Sequence, residues 1–238
     1  MNAVWDDPRV VRGMKAQLRL WGKRLRAGEK ALGWKLAFGA PAAMARLNLS
    51  APVIGFLTDR APLPSGAVLS LSSWTKPVVE PEIAIYVGKD LPGGADREET
   101  RAAIAALGPA FELADVARPQ VDVEDVLANN INQRNVILGA RDESHAGAAL
   151  QGLSGRLLRN GREVAHTSDL EAMTGELVFL VQHVANLLAA FGETLRSGQV
   201  IIAGAVMAPV WVETTEEVVF QLDPMGSVSV TFSAHPVG

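Results

Sequence analysis

Two glutamates, Glu80 and Glu82, lie two residues apart in the apolar stretch 78–87. Residues two apart share one face of an extended strand, so this spacing predicts that both carboxylates point the same way. In a poorly hydrated place the two carboxylates would repel each other, and each would resist ionising. A neighbouring cation, exposure to water or a bound metal ion would relieve the repulsion, and the two glutamates alone leave all three open.

Two further charged residues occur between apolar neighbours: Glu112 in a predicted strand over 110–116, and Lys35 in another over 33–39. Three carboxylates without sulfur or imidazole would form a hard site that suits Mg²⁺, Mn²⁺ or Ca²⁺. With a dication they retain a net negative charge, so an anionic substrate would need a further cation, for which Lys35 is a candidate. On spacing alone, acids on an exposed strand face are the more common explanation of the Glu-x-Glu pair.

The elements that must position these residues form a helical start followed by a mainly β remainder. Apolar residues at helical spacing predict a helix from about Pro8 to Leu32, a second from Asp96 to Leu107 and a third from Glu176 to Phe191. Asn160-Gly161 predicts a β-hairpin. Further strands are predicted over 200–203, 218–222 and 227–233. This order predicts one α+β domain with a short helical lead-in.

The composition predicts a folded globular protein, since 48% of the 238 residues are hydrophobic and 20% are charged. A net charge of −4 gives no reason to expect nucleic acid or an anionic membrane as partner. The absence of cysteine excludes a disulfide and a thiolate ligand. The most apolar run, Val200 to Val212, is shorter than the roughly 20 residues of a membrane helix, and the N-terminus lacks the features of a signal peptide. We therefore expect a cytoplasmic protein.

Six segments of the chain form a recognisable order: Gly33–Phe38 (GWKLAF), Pro52–Leu57 (PVIGFL), Val79–Ile85 (VEPEIAI), Pro109–Asp115 (PAFELAD), Leu127–Asn130 (LANN) with Leu138-Gly139, and Val184–Gly192 (VANLLAAFG). This order resembles the 2-keto-4-pentenoate hydratase branch of the fumarylacetoacetate hydrolase superfamily. The resemblance covers about residues 33 to 233. Its most specific part is Glu-x-Glu followed by Pro-Ala-(apolar)-Glu.

The resemblance implies a mixed β-roll with flanking helices, in which residues 1–32 are a helical lead-in and 33–238 the catalytic domain. It implies a Mg²⁺ or Mn²⁺ ion held by Glu80, Glu82 and Glu112. It also implies that Lys35 is catalytic and lies beside the substrate carboxylate. The implied substrate-binding positions are Leu36, Asn132, Gln133 and Ala205.

The implied reaction is hydration of a 2-hydroxy-2,4-dienoate of the 2-keto-4-pentenoate type to a 4-hydroxy-2-oxo acid, carried out by a homo-oligomer. Three segments depart from the hydratase pattern: Gly175-Glu176-Leu177 stands in place of Gly-His-Pro, Ala203-Gly204-Ala205 in place of Thr-Gly-Ser, and Ile131-Asn132-Gln133-Arg134 in place of a serine-containing stretch. The second change removes two hydroxyls that could orient substrate or water. Decarboxylation of a 2-oxo acid, C–C hydrolysis of an acylpyruvate, and a catalytically silent metabolite-binding homologue therefore remain alternatives.

Overall fold

A computed structural model describes residues 3–117 and 119–234. Residues 1–2 of the predicted helical lead-in and residues 235–238 of the predicted catalytic domain lie outside the described residues. The helices are α1 (Pro8–Arg26), α2 (Pro41–Leu47), α3 (Arg97–Ala103), α4 (Val123–Ala128) and α5 (Leu177–Ala190). The strands are β1 (Ala31–Ala37), β2 (Val53–Thr58), β3 (Pro62–Leu63), β4 (Ala67–Ser70), β5 (Pro77–Val87), β6 (Ile104–Asp115), β7 (Gln133–Leu138), β8 (Ser154–Arg159), β9 (Arg162–Thr167), β10 (Val200–Ala205), β11 (Val210–Trp211), β12 (Glu216–Asp223) and β13 (Gly226–Ser233).

The strands form two sheets, and the larger one holds every strand from which a site residue was predicted. Its eight strands run in the order β2-β1-β10-β5-β6-β7-β3, with β11 paired to the outer part of β5. β1 is parallel to β10 and β3 to β7, while the other pairs are antiparallel, so the sheet is mixed. The second sheet has five strands in the order β4-β13-β12-β8-β9. This is the mixed α+β architecture with flanking helices that the sequence predicts.

The two faces of the larger sheet pack against different surroundings. Along β5, Val79, Ile83 and Ile85 belong to the main core, which also contains the buried face of α5. Ala84, on the opposite face of β5, belongs to a smaller cluster of mostly small and aliphatic side chains on neighbouring strands. Glu80 and Glu82 lie on this second face because they alternate with the main-core residues.

The N-terminal helix α1 ends earlier than predicted. It begins after Asp7, whose carboxylate accepts a 2.8 Å hydrogen bond from the N–H of Arg9, and it ends at Arg26 rather than Leu32. β1 already begins at Ala31, because its backbone pairs with β2 there. α1 also packs on the rest of the chain: the buried Gln17 amide donates to the carbonyls of Ile54 and Leu127, both at 3.1 Å.

The later elements confirm most of the predicted pattern. The Asn160-Gly161 hairpin joins β8 to β9, and the third predicted helix is α5. The second predicted helix is too long: α3 ends at Ala103, and Ile104–Leu107 instead pairs with the end of β5 as the start of β6. None of the helices in the described ranges is long and apolar enough to cross a membrane.

Candidate metal centre

Neighbouring strands bring the three predicted glutamates together. Glu80 of β5 lies directly opposite Glu112 of β6 in the antiparallel register, and Glu82 is two residues further along the same face of β5. One carboxylate oxygen from each residue lies within 4.8 Å of one from each of the others. Glu82 and Glu112 are buried and Glu80 is partly buried, so these acids do not lie on an exposed strand face.

A β-bulge in β10 positions Glu82. A three-residue step of β10, from Ile202 to Ala205, spans the two-residue step of β5 from Ala84 to Glu82. The extra residue turns the backbone at Gly204, whose φ of 90° is unfavourable for a residue with a side chain. The N–H of Gly204 consequently donates a 2.7 Å hydrogen bond to Oε2 of Glu82. The other oxygen, Oε1, is buried and has no hydrogen-bond partner among the described residues.

The cluster makes ionisation of its carboxyl groups unfavourable. Burial and the nearby Glu112 carboxylate raise the pKa of Glu80 to about 7, and the Lys35 ammonium offsets only part of this rise. Burial, Glu112 and Glu80 raise the pKa of Glu82 well above its ordinary value, against the stabilising hydrogen bond from Gly204 and the charge of Lys35. The metal-free cluster therefore retains protons that a bound cation would displace.

Lys35 is the cation of the site. Its side chain is only 2% exposed, and its ammonium donates to Glu112 and, at 3.2 Å, to the carbonyl of Ile131. Gly55 lies opposite Lys35 on β2, and a Cβ at Gly55 would be 3.0 Å from Cε and 3.1 Å from Cγ of Lys35. The missing side chain of Gly55 therefore leaves the space that the lysine stem occupies.

The turn 130–132 holds the carbonyl that Lys35 contacts. Its residues have φ angles of 51°, 53° and 56°, a left-handed conformation that asparagine tolerates but that is unfavourable for the β-branched Ile131. The buried Asn130 amide fixes the turn to β2, because Oδ1 accepts from the N–H of Phe56 at 2.8 Å and Nδ2 donates to its carbonyl at 3.0 Å. Sequence patterns assigned no specific role to Asn130, although the amide-rich run at 129–135 favours a special turn.

A cavity of about 730 Å³ opens next to the cluster and is lined by Lys35, Glu80 and Glu112. Glu82 is not among its lining residues and lies deeper in the protein. Most of the remaining wall is apolar, and Thr174 is the one hydroxyl-bearing side chain among the described residues that line it.

The cavity includes two of the four predicted substrate-binding positions, Leu36 and Ala205. Asn132 and Gln133 do not line it. The left-handed turn directs Ile131 into the wall instead, and Gln133 already begins β7, where it pairs with Ala114 of β6. The sequence interpretation also missed three residues that line the cavity: Arg46, Lys76 and Trp211. Lys76 lies four residues before Glu80, directly ahead of β5, and its side chain lines the same cavity.

The residues of the cluster fit a divalent metal ion. They supply carboxylate oxygens alone, which hard cations such as Mg²⁺, Mn²⁺ and Ca²⁺ prefer. The buried Oε1 of Glu82 has no donor among the residues that the structure describes, and such an unpaired acceptor is costly unless a ligand satisfies it. Both the donor set and this unpaired oxygen therefore favour a cation between the three carboxylates.

Residues 30–233 match the family described as fumarylacetoacetate (FAA) hydrolase C-terminal. The chain belongs to the fumarylacetoacetate hydrolase family. The match begins just before β1 and ends in β13, so it includes every strand of both sheets.

Relatives within this family have two different activities. The chain is 30% identical over 232 residues to a 4-oxalocrotonate decarboxylase of a Pseudomonas species, covering 94% of this chain and 88% of that protein. It is also 30% identical over 212 residues to the 2-hydroxyhexa-2,4-dienoate hydratase of Comamonas testosteroni, covering 87% and 80%. Among solved structures, the 4-oxalocrotonate decarboxylase from Pseudomonas putida G7, complexed with magnesium and adipate, superposes with a TM-score of 0.86 at 27% identity, covering 98% of this chain and 90% of that one.

Proposed function

We propose that the protein is a Mg²⁺- or Mn²⁺-dependent lyase that hydrates a 2-hydroxy-2,4-dienoate to a 4-hydroxy-2-oxo acid. The proposal rests on the cluster of Glu80, Glu82 and Glu112, which adjoins a largely apolar cavity and includes a buried carboxylate oxygen with no hydrogen-bond partner in the described part of the chain. The family membership and the hydratase and decarboxylase relatives support it.

The three glutamates would hold the metal ion. When bound there, a divalent ion polarises the 2-oxo group of a substrate and stabilises the negative charge of its enolate. The three carboxylates, one dication and the Lys35 ammonium sum to zero charge, so the inner end of the cavity can accept a carboxylate without excess repulsion.

Lys35 holds the substrate carboxylate in this proposal. Its ammonium is fixed by Glu112 and by the carbonyl of Ile131, and a buried, directed ammonium binds an anion more strongly than a solvated one. The apolar wall around it, which includes Leu36 and Ala205, excludes bulk water and limits side reactions of the dienol. The reaction adds one water molecule: the dienol first takes up a proton at C5 and loses its enol hydroxyl proton, and water then adds across the C3–C4 double bond of the conjugated 2-oxo acid, with its oxygen bonding to C4 and a proton to C3.

Replacing Glu82 by glutamine tests the proposal. Glu82→Gln keeps an oxygen that can accept the hydrogen bond from Gly204 but removes the charge, so Mg²⁺-dependent consumption of 2-hydroxypenta-2,4-dienoate should fall to background while the circular dichroism spectrum stays unchanged. Glu217→Gln, an exposed change on β12, is the matched control and should retain full activity. Undiminished turnover by the Glu82 variant would contradict the proposal.

Decarboxylation is the second candidate, because a 4-oxalocrotonate decarboxylase aligns with 94% of this chain and the solved decarboxylase with 98%. The two reactions differ in their product, since only decarboxylation releases CO₂. Incubation with the dienoate, with oxaloacetate and with an acylpyruvate would separate hydration, decarboxylation and C–C hydrolysis by loss of enol absorbance, CO₂ and pyruvate. Binding of metal and oxalate without turnover of any of these would instead identify a catalytically silent homologue.

A further inference from the structure

Thr174 lines the inner end of the cavity, beside the β-bulge that orients Glu82. A Cβ at Gly204 would lie 3.5 Å from Cγ2 of Thr174, and the N–H of the same glycine donates to the Glu82 carboxylate. The threonine itself is only 7% exposed. Because a β-branched side chain has few χ1 rotamers and this one is buried, its hydroxyl is held in one place near the metal cluster.

The hydrogen bond of this hydroxyl leaves it with acceptor capacity. The Thr174 O–H donates to the carbonyl of Gly175 at 3.2 Å, and within the described ranges no group donates to Oγ1. A hydroxyl oxygen carries two acceptor lone pairs besides its single donor hydrogen. Oγ1 can therefore accept a hydrogen bond from a molecule in the cavity, such as water or a substrate hydroxyl.

Such a neutral hydroxyl is otherwise missing from this end of the cavity. The metal cluster and its paired lysine supply charged groups. Ala203 and Ala205, which flank Gly204 and also line the cavity, carry no hydroxyl where the hydratase pattern has Thr-Gly-Ser. Thr174 contacts the same glycine from a different segment of the chain, so it places a hydroxyl close to the two alanines that lack one.

We propose that the Thr174 hydroxyl is a further substrate-contacting group, which accepts a hydrogen bond from the oxygen at C4. That oxygen belongs to the attacking water during hydration and to the C4 hydroxyl in the product. The inference rests on the proposed function, in which the 2-oxo acid head lies at the glutamates and Lys35. C4 is only two bonds from the 2-oxo carbon, so it stays in the inner end of the cavity. The hydroxyl orients the water and exchanges no proton with it.

Two 2-oxo acids of similar size test this contact by binding alone. 4-Hydroxy-2-oxopentanoate and 4-methyl-2-oxopentanoate differ only in a hydroxyl or a methyl group at C4. Thr174→Val keeps the branched shape and removes the hydroxyl. In titration calorimetry with the Mn²⁺-loaded protein, we expect it to weaken binding of the hydroxy acid about fivefold and to leave the affinity for the methyl acid unchanged. The absorbance of the conjugated 2-oxo acid, recorded in parallel, reports any dehydration of the hydroxy acid.

Two further variants separate the hydroxyl contact from an effect on the fold. Thr174→Ser retains a hydroxyl and should keep the wild-type ratio of the two affinities. Thr100→Val is the matched control, because Thr100 is also buried and its hydroxyl also donates to a backbone carbonyl, that of Asp96 at 2.7 Å. Thr100 does not line the cavity, so this variant should bind both acids as the wild type does.

The kinetics of hydration give a second readout. 2-Hydroxypenta-2,4-dienoate has no oxygen at C4, so the contact with Thr174 forms only as water adds. Thr174→Val should therefore lower kcat about tenfold with little change in KM, and Thr174→Ser should restore kcat. Wild-type kcat in Thr174→Val would overturn the role in water addition.

Three binding results would overturn the contact. These are an unchanged ratio of the two affinities in Thr174→Val, an equal loss of affinity for both acids in that variant, and no measurable binding of either acid by the wild type. An equal loss would show that the threonine only supports the shape of the cavity.

The outcome for the contact is separable from that for the reaction. A selective loss of hydroxy-acid binding in Thr174→Val, together with an unreacted dienoate, would support the contact and reject the hydratase. Hydration of the dienoate by the wild type, together with an unchanged affinity ratio in Thr174→Val, would support the hydratase and reject the contact.

Discussion

Metal binding at the three-glutamate cluster should depend steeply on pH, because Glu80 must first lose a proton. Its pKa is raised to about 7 by burial and by the Glu112 carboxylate. A carboxyl group with this pKa is about one-tenth ionised at pH 6 and about nine-tenths ionised at pH 8. We therefore expect the apparent dissociation constant for Mn²⁺ to be about tenfold larger at pH 6 than at pH 8. Glu82, whose pKa is also raised, strengthens the same trend.

The same proton gives the metal-free protein an opposite dependence of stability on pH. The folded-state pKa of Glu80, about 7, lies above the ordinary value of 4.5, so the folded state binds this proton more tightly than the unfolded state. The resulting stabilisation is fully present below about pH 4.5 and is lost as the pH rises through about 7, by about 3 kcal/mol in total. Because glutamine does not titrate, the difference in unfolding free energy between wild type and Glu80→Gln isolates this contribution.

Isothermal titration with Mn²⁺ at pH 6 and pH 8 measures the predicted change directly. Repeating it in two buffers with different ionisation enthalpies counts the protons released on binding. Glu217→Gln, far from the cluster in the second sheet, should reproduce the wild-type values. Equal affinities at the two pH values, with no proton release, would refute the account of the electrostatics.

Three substitutions, the last paired with the control Gly198→Ala, test how the surrounding strands position the cluster. Lys35→Met should abolish turnover and destabilise the metal-free protein by about 3 kcal/mol in chemical denaturation, because Glu112 loses its buried partner; an unchanged unfolding free energy would argue against that pair. Gly55→Ala should lower kcat at least tenfold with little change in Tm, since its Cβ would lie 3.0 Å from Cε of Lys35; wild-type kcat would show that the lysine tolerates displacement. Gly204→Ala and Gly198→Ala, at φ angles of 90° and 84°, should each cost about 1–2 kcal/mol of stability. Only Gly204→Ala should weaken Mn²⁺ binding. Equal Mn²⁺ affinities of the two variants would show that the Gly204 N–H does not position Glu82 for the metal.

The side-chain alternation of the strands was predictable from the sequence. The two-residue period of Glu80 and Glu82 identified β5 and the shared face, and apolar neighbours identified the strands of Lys35 and Glu112. Only the family resemblance predicted that these strands lie close together, because sequence spacing does not determine which strands are neighbours. The register of Glu80 opposite Glu112 is a property of the assembled sheet.

The errors lie where tertiary pairing overrides local pattern. Helical spacing in the sequence continues past Arg26 and Ala103. The segments that follow these two residues instead lead into β1 and β6, because they pair with other strands of the larger sheet. Asn132 and Gln133 do not line the cavity, whereas Ile131, one of three consecutive residues in a left-handed conformation, does. The bulge that brings Gly204 to Glu82 has no local signal beyond the glycine itself.

Anomalous diffraction from crystals grown with Mn²⁺ tests the central claim, that the three glutamates form one metal centre, most directly. We predict a single strong anomalous peak within ligand distance of a carboxylate oxygen from each of Glu80, Glu82 and Glu112, with Oε1 of Glu82 among the ligands. The absence of an anomalous peak at the cluster at saturating Mn²⁺, with Lys35 still paired to Glu112, would contradict this claim.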